Sequence, residues 1–344
     1  MRLGILTGGG DCPGMNAVIR AVVVRTLRTY GGTVIGFEEG WRGLLTGHAR
    51  ELDAPSVAGI LPRGGTILGT SRTDPFREGG ATTIRDAFAA HQLDGLLVLG
   101  GDGTLSAASR VAEEGLPVIG IPKTIDNDVS GTDFTFGFDT ALTTVVRALD
   151  ALHSTAESHH RVIVVEVMGR DCGWLAVCAG IAGGADVVVA PEEPTSVAEV
   201  CDLVRHRLAR GRDFSIVVVA EGAHFKPDAD GHVVETPQRE DAHGHRRYGG
   251  IGEVLAREIE ARVRVETRTV TLGYVQRGGT PTAFDRLLGS RMGVAAVDLA
   301  ARGEFGRMVS LKGVHITSED LAVVRRGVRH VDPELYEVAR AFFG

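Results

Sequence analysis

Gly95-Leu-Leu-Val-Leu-Gly-Gly-Asp-Gly-Thr104 is an aliphatic run that stops abruptly at glycines and an acid. Gly95–Leu99 has the length and apolar continuity of a strand buried on both faces, and the glycines after it let the backbone turn sharply and approach a ligand. Such a strand, ended by a glycine turn and followed by helical periodicity, is the repeating unit of a doubly wound parallel sheet. The same grammar runs along the chain. Leu3–Thr7 leads through glycines into a helix-like Asn16–Thr29, and Val118–Ile121 ends at a proline. Asp139–Ala156 has helical spacing, and Val162–Val167, Asp186–Ala190 and Ser215–Ala220 read as further buried strands.

With 344 residues, 43% hydrophobic and 24% charged, the chain is long enough for two domains with full cores. Its formal charge is −7 and it has no basic block, which argues against nucleic acid or an anionic membrane as partner. No apolar run approaches the ~18 residues of a membrane span. The chain opens on a strand rather than a leader, so the expected compartment is the cytoplasm. Four cysteines without CxxC pairing read as reduced thiols. Glycine is unusually frequent at 47 residues, and only Lys123, Lys226 and Lys312 are lysines. The polar stretch Lys226–Gly250, with the Asp230-Gly231 turn and His232, His243 and His245, reads as an exposed hairpin or loop rather than a metal site.

The chemistry gathers where strands end. Thr7-Gly-Gly-Gly-Asp-Cys-Pro-Gly-Met-Asn16 can cradle phosphate on backbone amides at a helix start, although it lacks the GxGxxG spacing of dinucleotide folds. Gly100-Gly-Asp-Gly-Thr104 adds an acid able to reach a magnesium ion that bridges phosphates. Pro122-Lys-Thr-Ile-Asp-Asn-Asp128 sets two carboxylates beside a lysine and a threonine, so one can accept a proton while the other serves a metal. Arg161, Arg170, Arg268 and Arg277 offer guanidinium forks for phosphate oxygens.

Taken in order, GGGDCPGMN, Gly64–Arg72, GGDGT, TIDND, Glu166-Val-Met-Gly-Arg170, Ala220-Glu-Gly222 and Gln276-Arg-Gly-Gly279 resemble the phosphofructokinase family over nearly the whole chain. The resemblance implies an α/β fold of two Rossmann-like three-layer α/β/α domains with largely parallel sheets. A donor-binding domain would span 1–137 plus 276–326, and a sugar-phosphate domain 138–275 plus 327–344. It implies transfer of a phosphoryl group from Mg-ATP to the 1-hydroxyl of fructose 6-phosphate, with pyrophosphate as the alternative donor. Asp126 would be the base, and Asp102 and Asp128 would serve Mg²⁺. Gly10, Thr124, Arg72 and Arg170 would hold the transferring group, and Gly101, Gly103, Thr104 and Lys123 would complete the donor side. Arg161, Met168, Gly169, Arg170, Glu221, Arg268, Tyr274 and Arg277 would meet the sugar phosphate. The family also implies a homotetramer in which a neighbouring subunit completes that pocket.

Some positions depart from the family pattern. Tyr274 stands where many bacterial members have histidine, Thr73 replaces an aromatic, and Lys226–Gly250 is long. The basic effector pocket is only partly present, with Arg20, Arg25 and His153. Family members that use ATP carry glycine at both discriminating positions, and pyrophosphate users carry aspartate and lysine; this chain has Gly103 with Lys123. Glycine at 103 leaves room for an α-phosphate, so ATP is the expected donor. GGDGT also occurs in NAD and lipid kinases, where TIDND, MGR and QRGG in this order are not expected, and alternating strands also suit an NAD-dependent oxidoreductase, against which the missing GxGxxG and acid pair speak. A non-catalytic homologue would have little use for the full set of aspartates and arginines.

Overall fold

The computed structural model describes residues 1–235, 239–240 and 246–344, with only the backbone described at 239–240 and 246–247. The chain divides into two compact units, Met1–Thr140 with Arg277–Val328, and Ala141–Gln276 with Arg329–Gly344.

Numbered in chain order, the first unit holds β1 (Arg2–Thr7), α1 (Met15–Tyr30), β2 (Thr33–Phe37), α2 (Trp41–Thr46), β3 (Ala49–Leu52), α3 (Pro75–Glu78), α4 (Gly80–Ala90), β4 (Gly95–Gly100), α5 (Asp102–Glu113), β5 (Val118–Thr124) and β6 (Phe136–Gly137). It also receives the start of α6 (Phe138–His159) and, after the second unit, α10 (Ala283–Ala301), β13 (Arg307–Lys312) and β14 (His315–Asp320). Among the described residues these strands form one eight-stranded sheet in the order β14-β13-β5-β4-β1-β2-β3, with β6 on β5. The centre is parallel, and β3 and β14 close the two edges antiparallel. Every residue of β4 and β5 is buried, which is why β4 and the first part of β5, Val118–Ile121, read as unbroken apolar runs. Against this sheet α1 and α10 lie unusually close. A Cβ on Gly293 would sit 2.9 Å from the Val18 carbonyl oxygen, so only glycine permits that approach.

The second unit holds the rest of α6, then β7 (Val162–Val167), α7 (Trp174–Gly183), β8 (Val187–Val189), α8 (Val197–Ala209), β9 (Ser215–Ala220), β10 (Arg239–Glu240), β11 (Arg246–Arg247), α9 (Ile251–Val263), β12 (Thr267–Thr271) and α11 (Pro333–Arg340). Its parallel sheet runs β12-β7-β9-β8, with β7, β8 and β9 wholly buried. Each unit is thus an α/β layer structure of Rossmann type, with strand ends that present loops at one edge.

The polar stretch Lys226–Gly250 contains the expected turn, in which the Gly231 amide donates to the Asp228 carbonyl. It also contains a short antiparallel pair, β10 with β11. His243 and His245 lie outside the described residues.

Candidate active site

In the first unit three strand ends converge on glycines and acids. After β1 the chain passes Gly8, Gly9 and Gly10 before α1 begins. The Gly8 amide donates to the Leu99 carbonyl at 2.9 Å, and the Gly9 amide to that of Ser71 at 3.1 Å. Glycine is required here by Thr104, whose side chain fills the space where Cβ atoms of Gly8 and Gly100 would stand, 2.7 and 2.3 Å away. At Gly10 a Cβ would stand 2.5 Å from Nη1 of Arg277, whose guanidinium lies over this turn and donates to the Asp11 carbonyl. Asp102 opens α5 behind the Gly101 cap, where the helix dipole favours an anion. A Cβ on Gly103 would meet no atom within 4 Å.

Lys123 and Thr124 end β5 and are buried, as are Asp126 and Asp128. The Lys123 ammonium donates to the Gly10 carbonyl, tying this strand end to the glycine-rich turn. Burial pushes the Lys123 pKa down; the nearby Cys12, Asp126 and Asp128 pull it back up, and Arg277 lowers it further. The Thr124 hydroxyl bridges the turn: the Asp126 amide donates to it at 3.0 Å, and it lies 3.3 Å from Asp126 Oδ2. Asn127, between the two acids, has φ 54°, a left-handed conformation that asparagine tolerates better than most residues. Its Oδ1 accepts from the Thr135 amide, and the Thr135 hydroxyl donates to the Thr124 carbonyl. The turn that carries Asp126 and Asp128 is therefore held from behind. Arg72 lies exposed on the segment before α3.

In the second unit Met168, Gly169 and Arg170 follow β7, and Glu221 follows β9. The Met168 amide donates to Gln276 Oε1 at 3.2 Å, and the Arg170 amide to Glu221 Oε1 at 3.2 Å. Arg170 adopts a left-handed φ of 52°, and a Cβ on Gly222 would lie 1.6 Å from its carbonyl oxygen, so these two loops touch backbone to backbone. Arg161 and Arg268 are brought together at the other end of this sheet. Arg161 precedes β7, Arg268 is the second residue of β12, and both grip one carboxylate, Glu266. These guanidiniums, Arg161 first, hold the Glu266 carboxyl below its usual range. Tyr274 is 79% exposed.

Among the described residues no cluster of three or more His, Cys, Asp or Glu side chains could form a metal cage. Asp102 and Asp128 are hard carboxylate donors, the type Mg²⁺ takes in ones or twos when phosphates and water fill its remaining positions, so the donor set fits that ion.

The phosphofructokinase family pattern matches residues 2–300. The chain belongs to the phosphofructokinase family. It is 52% identical, over the full length of both chains, to a pyrophosphate–fructose 6-phosphate 1-phosphotransferase of Streptomyces coelicolor. It is 49% identical, again over both full lengths, to an ATP-dependent 6-phosphofructokinase 2 of the same organism. Among solved structures, Pichia pastoris phosphofructokinase in the T-state matches with TM-score 0.83 and 33% identity over 99% of this chain, which spans 39% of that longer one.

One residue central to this phosphofructokinase's geometry gave no signal in the sequence, and others gave no sign of the contacts they make. Glu266, which joins Arg161 to Arg268, is an ordinary strand-end acid until the fold pairs β12 with β7. Glu166, within the motif Glu166–Arg170, is buried and accepts from the Gly250 and Gly252 amides at the start of α9. There it neutralises a helix terminus. Arg25, one of the expected effector-pocket residues, is already bound by Asp298 at 2.8 and 3.1 Å.

Proposed function

We propose that this phosphofructokinase transfers the γ-phosphoryl group of Mg-ATP to the 1-hydroxyl of fructose 6-phosphate. In this reading Asp126 removes the hydroxyl proton, its orientation fixed by Thr124 and by the Thr135–Asn127 support behind the turn. Asp102 and Asp128 would hold magnesium, which supplies charge neutralisation between donor phosphates. Gly10, Gly101, Gly103, Thr104 and Lys123 bound the donor phosphates, and Arg72, Thr124 and Arg170 stabilise charge on the group in transit. Phosphoryl transfer asks for alignment and charge rather than a covalent nucleophile, and these residues offer both. The first unit is thus assigned to the donor and the second to the sugar phosphate.

Met168, Gly169, Arg170, Glu221, Tyr274 and Arg277 are assigned to the sugar phosphate. Arg161 and Arg268 are assigned to a sugar phosphate held by a second copy of the chain. In support, the length of β7 separates Arg161 from Met168 by about 20 Å at the usual strand rise, too far for one sugar phosphate to meet both. The functional form would then be at least a dimer, and by family resemblance a homotetramer. None of the described helices is long and apolar enough to cross a membrane, in keeping with a cytoplasmic enzyme of glycolysis.

The observation that carries the donor choice is the open space at Gly103. A carboxylate there would crowd and repel an α-phosphate, and glycine does neither. Pyrophosphate is the second reading, favoured by the buried ammonium of Lys123 beside Gly10. Coupled assays with ATP and with pyrophosphate on the wild type and Gly103→Asp decide between them. ATP should be preferred by the wild type and lose most of its kcat/KM in the variant, with pyrophosphate use affected less. A wild type that strongly prefers pyrophosphate would reverse the assignment.

A further inference from the structure

Asp285 has no part in the reaction above, yet it is completely buried at the third residue of α10. A buried carboxylate is costly unless fixed donors surround it. Its Oδ2 accepts from the Thr140 amide at 2.8 Å and from the Thr140 hydroxyl at 2.5 Å, and the Gly137 amide also favours its charged form. Thr140 in turn accepts from the Thr282 amide at 3.0 Å, while the Thr282 hydroxyl donates to Asp139 at 2.5 Å. The starts of α6 and α10 therefore cap each other, a crossed arrangement with Asp285 at its centre.

What this arrangement grips matters more than the helices themselves. Gly137–Thr140 continues directly from β6, which pairs with Lys123 and Thr124 at the end of β5. Thr135, just before it, holds the Thr124 carbonyl and the Asn127 side chain. At Gly137 the chain runs so close to the glycine-rich turn that a Cβ would lie 2.6 Å from Cys12 Sγ. One short segment thus backs both the turn carrying Asp126 and the turn after β1, and Asp285 is the buried group that fixes its far end.

We propose that Asp285 is a positioning residue for phosphoryl transfer: by clamping Gly137–Thr140 it sets the place of the Asp126 carboxylate relative to the glycine-rich turn. This rests on Asp126 being the base. A displacement of about 1 Å at a reacting group is enough for a hundredfold loss of rate, so the effect belongs in kcat rather than in KM.

The test is steady-state kinetics with both donors on the wild type, Asp285→Asn, Asp285→Ala and Thr140→Ala, each with its folded fraction measured. Asparagine keeps an acceptor for Thr140 but turns an NH₂ toward the Gly137 amide; alanine removes every bond. The expected result is a graded loss of kcat, roughly tenfold for Asn and up to about a hundredfold for Ala, with KM for sugar phosphate and donor within about threefold. Thr140→Ala should lower kcat in the same way, and it decides the matter if Asp285→Ala does not fold. Unchanged kcat in the folded variants, or a loss residing in KM or in the folded fraction alone, overturns the proposal. A wild type without phosphotransferase activity would instead overturn the function on which it rests.

Discussion

The two units carry their candidate functional groups on opposite plans. In the first unit the strand ends are packed backbone against side chain: Thr104 fills the space at Gly8 and Gly100, Lys123 is bonded to Gly10, and Asp126 is buried and bridged by Thr124. In the second unit the charged groups are long, partly exposed arginines already paired to acids, Arg161 and Arg268 on Glu266. The first arrangement is preorganised, with little left to order when a phosphate arrives. The second holds its cations on a carboxylate, Glu266, which under the proposed function a phosphate would have to displace. A preorganised half suits a charge that develops during reaction, and an exchangeable half suits an anion that is bound and released.

The comparison breaks most visibly at the base. Asp126→Asn should leave fold and sugar-phosphate binding intact and lower kcat at least ~10²-fold, the low end for loss of a positioned general base. Near-normal turnover in a folded variant would end the assignment of chemistry to the preorganised half.

A second experiment uses the buried acid of that half. Burial raises the Asp285 pKa to about 6, with the nearby Asp139 adding like charge and the Thr140 bonds opposing. Because the folded pKa lies above the ordinary carboxylate value, the fold favours the neutral form. The stability this contributes is complete below about pH 4 and is lost as pH rises through 6. Asparagine stays neutral, so the stability of Asp285→Asn relative to wild type should improve from pH 4 to pH 7 by at most about 2–3 kcal/mol. Urea midpoints of the two proteins across that range measure it; a gap that is flat with pH would contradict the buried-charge account.

The exchangeable half can be tested by division of labour. Mixing Arg268→Ala with Asp126→Asn subunits should restore up to about a quarter of wild-type sites, because a shared site needs an intact Asp126 from one subunit and an intact Arg268 from its neighbour. No rescue after confirmed subunit exchange would count against a site shared between subunits. The smallest effect is expected at exposed Tyr274, where Tyr274→Phe should raise the KM for fructose 6-phosphate about fivefold, the worth of one hydrogen bond of ~1 kcal/mol.

Much of the fold was legible because its signals are local. A strand such as Gly95–Gly100 is wholly buried and so wholly apolar, and the glycine at its end, Gly100, is forced by a neighbour four residues away, Thr104. The same holds for Thr124 and Asp126, which are joined within one turn. What could not be read is what the topology joins from afar. Thr140 and Asp285 are 145 residues apart, and Arg161 and Glu266 are 105 apart. Nothing in Thr282-Ala-Phe-Asp285 separates a carboxylate that caps its own helix from one that caps another. The antiparallel edges β3 and β14 were equally silent, since edge strands carry half-polar patterns that resemble loops.

One further consequence lies in the backbone of Arg170. Its φ of 52° is a conformation that a side chain other than glycine holds at a cost of about 1 kcal/mol or more. Glycine would fit that geometry with less strain, and it would remove the guanidinium that the proposed reaction needs. Selection for robustness alone would therefore push this position toward an inert protein. Under the proposed function, the arginine trades ease of folding for chemistry at this point.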